Sequence, residues 1–570
     1  MAVDVRRHSE QRAPSPSQGV PLWRRIYGLG SVYAKGLRDS RRAFLIVAIL
    51  FGGLMFLLTA ALAKEFPTEA SRRGLVALAT GVSATSKVLA GITGNPIDVG
   101  TIGGYINWKY GPVFLFVAAI WSILALSGTL ASEARRGSLD MVAAGPLGRR
   151  RLALEKAGAH VTAMALAMVV FALGAWLGAA AFGKLPGDTL TVQAAAGYAL
   201  MVGLTGLAAG SVAFALSPLL GRAAAGGIAA VVLVAAYFIN SYQGVFPGLS
   251  GVAHLSWYSW TANQIPIAGH YDWPSLLPVA AVIVVLLAIG TELFARRDLG
   301  ATTALAGPGL PAPLRGLGGP VGRSLAERLP AALWWGLGLG LFGFVIAAST
   351  RSLADSFAKV PASMDETLKR VLPDYNILTA GGFLQFTFIA IGFIVVGFAA
   401  AMLVAGWATD ETSGRLETLL ATPLARMRWA LSSGLGVLLA ILAMTIVLAI
   451  AIGLGALAAG SSAGTPMLAT VTLGLYAAAL AGVGFAVGGL VRASVAAEVV
   501  AAVVVLTFLV DLVAPPLKAP SWVHQLALTS HLGQPMVGHW DASGIIACAA
   551  VAVVGLALGA WGISRRDVAR

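Results

Sequence analysis

Long apolar runs separated by short polar stretches organise this chain. A helix needs about 20 mostly apolar residues to cross a bilayer. Windows of that kind occur at 43–62, 112–131, 157–182, 193–217, 223–242 and 276–295. A second set occurs at 331–349, 380–407, 430–459, 467–490, 494–513 and 543–563. The runs are apolar throughout, without the alternation of barrel strands. The pattern therefore predicts an all-α polytopic membrane protein with about twelve spans.

The polar segments set the expected boundaries. Residues 1–17 are polar and carry Arg6, Arg7, Arg12, Pro14 and Pro16, which reads as a disordered tail. The first long apolar run starts only near Ala43, so no secretory signal is recognised. Over 18–42, Trp23, Ile26, Tyr27, Val32 and Tyr33 alternate with Arg24, Arg25, Lys35 and Arg38. That suits an amphipathic helix lying in the interface. A first six-span half is expected over 43–295 and a second over 329–570. Between them, 296–328 is rich in Gly and Pro without an apolar period and reads as a linker.

The halves repeat each other. Gly137-Ser138-Leu139-Asp140 aligns with Gly414-Arg415-Leu416-Glu417 without a gap, and Glu133 meets Asp410 in the same register. Ala144-Gly145-Pro146-Leu147 then meets Ala421-Thr422-Pro423-Leu424, followed by Arg149 and Arg151 against Arg426 and Arg428. Thr101, Gly103 and Gly104 match Thr379, Gly381 and Gly382, and Arg222 matches Arg492. Gly269-His270-Tyr271-Asp272 matches Gly538-His539-Trp540-Asp541, and Arg296-Arg297-Asp298 matches Arg565-Arg566-Asp567. Matches in this order indicate an internal duplication. An even number of spans per half gives two parallel repeats, with a pathway expected at their interface.

Composition agrees with the spans. Charged residues make up only 11% of the 570 positions and hydrophobic ones 58%, whereas soluble domains are about 25% charged. A soluble enzyme, a disordered chain and a disulfide scaffold are excluded; the single Cys548 allows no intrachain disulfide. The net charge of +14 comes mostly from Lys and Arg in segments that face one side if both termini are cytoplasmic. The positive-inside rule then places both termini in the cytoplasm and explains the charge without nucleic acid. Arg-over-Lys bias and Ala/Gly richness suit a bacterium, and the location expected is the inner membrane.

The best-matched segment joins the second and third spans of each half. In the second half, Leu416, Leu419 and Leu420 recur at helical spacing. Asp410, Glu411 and Glu417 lie early and Arg426 and Arg428 late, as a helix dipole favours. Pro423 should end the helix. The first half repeats this with Leu139, Met141, Val142, Pro146, Arg149 and Arg151. Such a short helix must bury its apolar face against lipid, its own spans or another protein.

The pattern Glu411-x-x-Gly414-x-Leu416-Glu417-x-Leu419-Leu420-Ala421-Thr422-Pro423-Leu424 resembles the coupling-helix loop of type-2 ABC transporter permeases. The first-half copy departs from it: Asp140 stands for Glu, Gly145 for Thr, and the acid Glu133 is shifted. A fused, double-length permease is similar to bacterial polyketide-antibiotic and multidrug exporter permeases. The resemblance implies a coupling helix between the second and third spans of each half, on which two copies of a separate cytoplasmic ATP-binding cassette subunit dock. ATP and Mg would be bound by that partner; this chain would hold no cofactor and no metal, and would catalyse nothing itself. The coupling residues implied are Glu133, Gly137, Leu139, Asp140, Pro146, Arg149 and Arg151, with Asp410, Glu411, Gly414, Leu416, Glu417, Leu419, Leu420, Pro423, Arg426 and Arg428. The substrate pathway it implies draws on the second and fifth spans: Phe114, Phe116, Tyr237, Phe238, Asn240, Gln385, Phe386, Phe388 and Phe508. Aromatics with a few polar groups suit hydrophobic or amphipathic compounds.

Other motifs carry less. Gly178 to Lys184 is most of a phosphate-binding loop, but Leu185 follows where Ser or Thr is needed. Gly338, Gly340 and Gly343 match GxGxxG without a preceding strand, which reads as span packing. His254, His270, His524, His531 and His539 have no zinc spacing. Glu498 is expected near Arg492, Asp511 near the outer end of its span, and His160 near the inner end of the third. No buried ionisable relay of the kind a proton-driven carrier uses stands out. The reading is an ATP-driven exporter subunit, with a proton-coupled carrier of the major facilitator type as the alternative. A membrane enzyme would need acids gathered at one interface; Asp98, Asp355, Asp365, Glu366 and Asp374 are scattered.

Overall fold

Twelve helices long and apolar enough to span a membrane make up the computed structural model, which describes residues 31–85, 94–135, 148–244, 247–296, 319–351, 378–514 and 519–566. In chain order they are α1 (Val32–Glu65), α3 (Ile102–Arg135), α4 (Arg149–Phe182), α5 (Val192–Arg222), α6 (Ala224–Tyr242) and α7 (Leu276–Ala295) in the first half. A non-spanning helix, α2 (Glu69–Thr85), follows α1. The second half has α8 (Pro320–Ala348), α9 (Ala380–Thr412), the short α10 (Arg415–Leu420), α11 (Arg426–Ala458), α12 (Gly464–Leu490), α13 (Ala493–Val513) and α14 (Ala542–Arg565). The fold is thus an all-α polytopic membrane protein, and each expected span falls on one of these helices. The proximal face is the one where α1 begins and α14 ends; the opposite face is distal.

Several spans are longer than a bilayer requires. A 34-residue helix such as α1 or α4 is about 50 Å long at 1.5 Å per residue, against a hydrocarbon core of about 30 Å. In α1, α4 and α8 the excess precedes the expected span, at the proximal end, where α1 pairs with α4 and α8 with α11. Residues 32–42, placed by sequence in an interfacial helix, are the first turns of α1. They pack along α4: the Tyr33 amide donates to Glu155 at 3.1 Å, and the Tyr33 hydroxyl meets Thr162 at 2.8 Å. The apolar face of this stretch therefore has a protein partner. The remainder of 18–42, and the tail before it, lie outside the described residues. The end of the expected 296–328 linker is likewise helical. Pro320 takes a first-turn position where no N–H is needed, and the Ser324 hydroxyl donates to the Ser433 carbonyl at 2.6 Å.

The fourth and fifth spans of each half meet at a tight proximal turn. Gly221, the last residue but one of α5, breaks the helix there with φ +75°, ψ 174°, a conformation closed to side chains with a Cβ. Arg492, extended at φ −158°, does the same between α12 and α13.

The duplication is visible on the distal side. Before the last span of each half, a short turn of 3-10 helix ends in a left-handed glycine, Gly269 (φ +86°) or Gly538 (φ +84°). A bridge closes each turn, Ile265 to His270 in one copy and Gln534 to His539 in the other. The second span of each half packs on this element through a matched glycine: Gly103 under the Ile267 carbonyl and Gly381 under that of Met536.

Glycine also sets how closely α12 and α14 approach. Gly482 and Gly489 on α12 face Gly555, Gly559 and Gly562 on α14, backbone against backbone. Helices associate in lipid chiefly through such packing of small residues. A Cβ on Gly562 would fall 2.6 Å from the Gly489 carbonyl carbon, too close for any rearrangement of side chains alone to relieve. Gly559→Leu is expected to separate the two helices and to lower the thermal midpoint in detergent, whereas Leu558→Ala, on the exposed face of α14, leaves it unchanged. Equal midpoints for the two variants would contradict this packing.

Candidate functional site

The loop between α9 and α11 is built from a glycine stop. Gly414 is left-handed at φ +74°, and its amide donates to the Glu411 carbonyl at 3.0 Å, which ends α9. The chain then makes the six residues of α10. Its exit is tied by the Thr422 amide on the Leu419 carbonyl (3.2 Å) and the Thr422 hydroxyl on the same oxygen (2.5 Å). Pro423 follows, outside the helix, as expected.

Of the three possible covers for the leucine face, the chain's own spans supply it. Leu416 is fully buried in the main core, with Leu419, Leu420 and Leu424 partly buried against it. The exposed edge is mostly polar, with Arg415, Glu417, Thr418 and Thr422 beside the small apolar Ala421 and Pro423, and Arg426 and Arg428 beyond. Arg428 also lines a shallow cleft of about 530 Å³ with Val321, Met427 and Leu431.

The early acids do not serve the dipole of α10. Asp410 and Glu411 are the last turn of α9, and each is held by an arginine from elsewhere. Asp410 lies 3.3 Å from Arg323 on α8. Glu411 lies 2.5 Å from Arg566, where α14 ends, and both side chains are largely buried. Arg566 also donates to the Gly488 carbonyl on α12, and its own carbonyl accepts from Arg426. Glu411 therefore ties the loop to two other spans. Arg426 and Arg428 belong to the first turn of α11, not to the end of α10.

In the first half, Gly137, Leu139, Asp140 and Pro146 lie outside the described residues, as does the side chain of Glu133 in the last turn of α3. Arg149 opens α4, and Arg151 pairs with Glu155 at 2.8 Å. Arg150 makes a two-pronged pair with Glu292 on α7, both bonds 2.9 Å. Both halves therefore tie the start of the third span to the end of the sixth through arginine. Sequence reasoning passed over Arg150, Glu292, Arg323 and Arg566 as partners. The repeated Arg-Arg-Asp after each sixth span was the available signal.

The pathway residues divide. Phe116 on α3 meets Tyr237 on α6 edge-on at 5.0 Å, and Tyr237 meets Tyr258 of the distal element at 5.6 Å. Phe238 stacks on Tyr242 at 4.6 Å. Together they form an aromatic group at the distal end of the first half; Asn240 is half-buried nearby on α6. The others lie elsewhere. Phe114 is buried among Phe51 and Phe171. Phe388 fills the space left by Gly343, against Phe342. Phe386 is partly buried against the core and Phe508 half-buried on α13. Gln385 is buried, and its side-chain oxygen accepts from the Met536 amide at 3.1 Å. It fixes the distal turn in place.

The remaining motifs are structural. Gly178, in the phosphate-loop lookalike, packs against Thr59. Gly338 and Gly340 lie against Val231 and Ala451. His160 is buried, 3.1 Å from the Ser122 hydroxyl and edge-on to Trp121. Glu498 pairs with Arg42 on α1 at 3.8 Å rather than with Arg492, because the preceding turn sends Arg492 out of the helix. Asp511 bonds Thr529, and His270 bonds Asp98 at 2.8 Å.

Residues 317–563 match the family described as the C-terminal domain of multidrug efflux system permease Rv1217c. The chain is also 27% identical over 438 residues to the multidrug efflux system permease protein Rv1217c of Mycobacterium tuberculosis, which covers 75% of this chain and 74% of that protein. A match of that length extends over both halves. Both matches liken the chain to a multidrug efflux permease.

Proposed function

We propose that this chain is the membrane-spanning permease subunit of an ATP-driven exporter of hydrophobic and amphipathic compounds, antibiotics and other drugs among them. The proximal face is cytoplasmic in a bacterial inner membrane, with both termini inside. Two copies of a separate ATP-binding cassette subunit dock there, bind ATP and Mg, and hydrolyse the nucleotide. The likeness to a multidrug efflux permease supports export.

One observation carries the coupling. α10 presents Glu417 and Thr418 outward while Leu416 is fully buried and Glu411 is paired with Arg566. A push on the exposed edge cannot be absorbed by the loop alone. It passes through Leu416 into the core and through Arg566 into α12 and α14. The spans then move as packed bodies, one half rocking against the other.

The test is a pull-down from native-host membranes with vesicle transport alongside it. The wild type should recover an ATP-hydrolysing subunit, and dye export should stop when ATP is removed and persist with a proton uncoupler at constant ATP. Export that collapses with the uncoupler, and no recovered ATPase, would replace this reading with a proton-coupled carrier.

A further inference from the structure

Two basic side chains border the space between the halves with donors to spare. Arg328, on the third turn of α8, is only 4% exposed. Its Nη1 donates to the Ser324 carbonyl at 2.8 Å and to the Ser324 hydroxyl at 3.0 Å, and lies 3.5 Å from Glu327. Nε and Nη2, the side-on edge of the guanidinium, are buried without a hydrogen-bond partner. Asp410 does not fill that role, because it is held by Arg323. The edge lies beside α9 where Gly406 leaves room. Among the described residues, Arg328 Nε is the only atom within 4 Å of where a Cβ on Gly406 would be, at 3.9 Å. Leaving buried charged donors unpaired is costly, and this edge is the one that takes an oxyanion through two parallel bonds.

Gly406 is one turn proximal to Met402 on α9, and Met402 and Ser127 of α3 both lie against Gly226 of α6. Arg328 is therefore at the proximal end of the space where the halves meet. Lys109 borders the same space at the distal end. α3 packs on α5 through Ala118 and Ser122, against Gly206 and Gly210. Lys109, Phe116 and Ser127 follow one another at seven and eleven residues, close to whole turns, and form the opposite face. Phe116 meets Tyr237 of α6, and Ser127 lies by Gly226 and Met402, so this face looks towards the other half. The Lys109 ammonium donates to the Tyr105 hydroxyl at 2.8 Å and rests 5.3 and 5.4 Å from the ring centres of Tyr105 and Tyr110. No carboxylate pairs with it among the described residues. Thr387 holds the matching position on α9, its hydroxyl bound to the Phe383 carbonyl at 2.7 Å. The architecture shared by the two halves does not call for a lysine there.

We propose that the space between the halves selects amphiphiles that carry an oxyanion such as a carboxylate, with Arg328 binding that group side-on at the proximal end and Lys109 receiving it at the distal end. The eighteen residues from Lys109 to Ser127 span ~27 Å of helix, so the two cations act in turn and not on one molecule at once. Phe116 and Tyr237 lie between them and suit the apolar body. The inference deepens the exporter reading and rests on it for the transport consequence; the preference in binding does not.

The experiment uses the full chain in phosphatidylcholine nanodiscs, without nucleotide and above neutral pH. A dansyl-labelled undecanoic acid and its methyl ester are titrated, and binding to empty discs is subtracted. The acid should bind about tenfold more tightly than the ester, as a charge-assisted pair allows. Arg328→Met should bring the acid down to the ester, with a thermal midpoint no lower than that of the wild type, since it removes two unpaired buried donors. Arg328→Lys, which keeps the charge without the fork, should recover only part of the preference. Equal affinities for acid and ester overturn the proposal whatever the protein transports. A lowered midpoint in Arg328→Met, with acid and ester weakened alike, makes Arg328 structural and overturns it too. Loss of the preference when phosphatidylglycerol replaces part of the phosphatidylcholine assigns the site to a resident lipid headgroup and overturns substrate selection. In inverted vesicles, Lys109→Met should slow ATP-driven uptake of the acid and not of the ester; equal slowing of both overturns the distal half of the proposal. A preference for the acid in a wild type without ATP-driven uptake supports the site and overturns the exporter reading instead.

Discussion

Glu417→Arg is expected to abolish ATP-driven export while expression, insertion and thermal stability stay at wild-type values. Glu417 is exposed on α10 with no ion-pair partner among the described residues, so reversing its charge disturbs nothing inside the permease. A like charge set against a surface that receives a carboxylate costs several kcal/mol, and about 3 kcal/mol is roughly a hundredfold in affinity. Co-purification of the ATPase subunit should fall with transport. Glu417→Gln, which removes the attraction without adding repulsion, should lose less. Asp140→Arg should be milder, since the first copy of the loop departs from the pattern. Wild-type transport in Glu417→Arg would remove α10 from the coupling role.

The second large effect is on stability and lies on the distal side. Arg72 on α2 and Asp188, in the turn between α4 and α5, form an ion pair at 3.1 Å with both side chains almost fully buried. Arg72 also donates to the carbonyls of Phe66 and Gly100, and Asp188 accepts from the amides of Lys184 and Leu185. Every partner is satisfied locally, so removing one side leaves an uncompensated buried charge. Breaking such a pair costs about 3–5 kcal/mol. Arg72→Met and Asp188→Leu should each lower the unfolding midpoint sharply. The double variant should recover much of the loss, because no orphaned charge remains. Additive losses would mean that the two side chains act independently.

Of these two sites only the first was legible in the sequence. Span number came from hydropathy alone, because a bilayer requires a long apolar run wherever the chain crosses it. The duplication was legible because the matched residues do local work, as Gly269 and Gly538 do in their turns. The glycine stop before α10 and the proline after it were likewise local. The partners were not. Arg72 and Asp188, Glu411 and Arg566, and Glu498 and Arg42 are each joined across long stretches of chain, and no local period encodes such pairs. Leu416 shows the same limit: spacing gave it an apolar face, but only tertiary packing decided that its own spans would cover it. The early turns of α1 were misplaced for a related reason, since an amphipathic stretch looks the same whether lipid or α4 receives it.

The Glu411–Arg566 pair has a consequence for how the protein is made. Its partners are 155 positions apart, with four of the spanning helices wholly between α9 and Arg566, or ending at it. While the chain is being synthesised, the loop carrying α10 emerges before α14, when Asp410 already has Arg323 but Glu411 has no arginine to pair with. It stays unlatched until α14 has been inserted and its last arginine has reached the proximal face. A chain stalled or clipped before that point would display the loop with Asp410 paired and Glu411 unpaired, so this second tie forms only once the last span is in place.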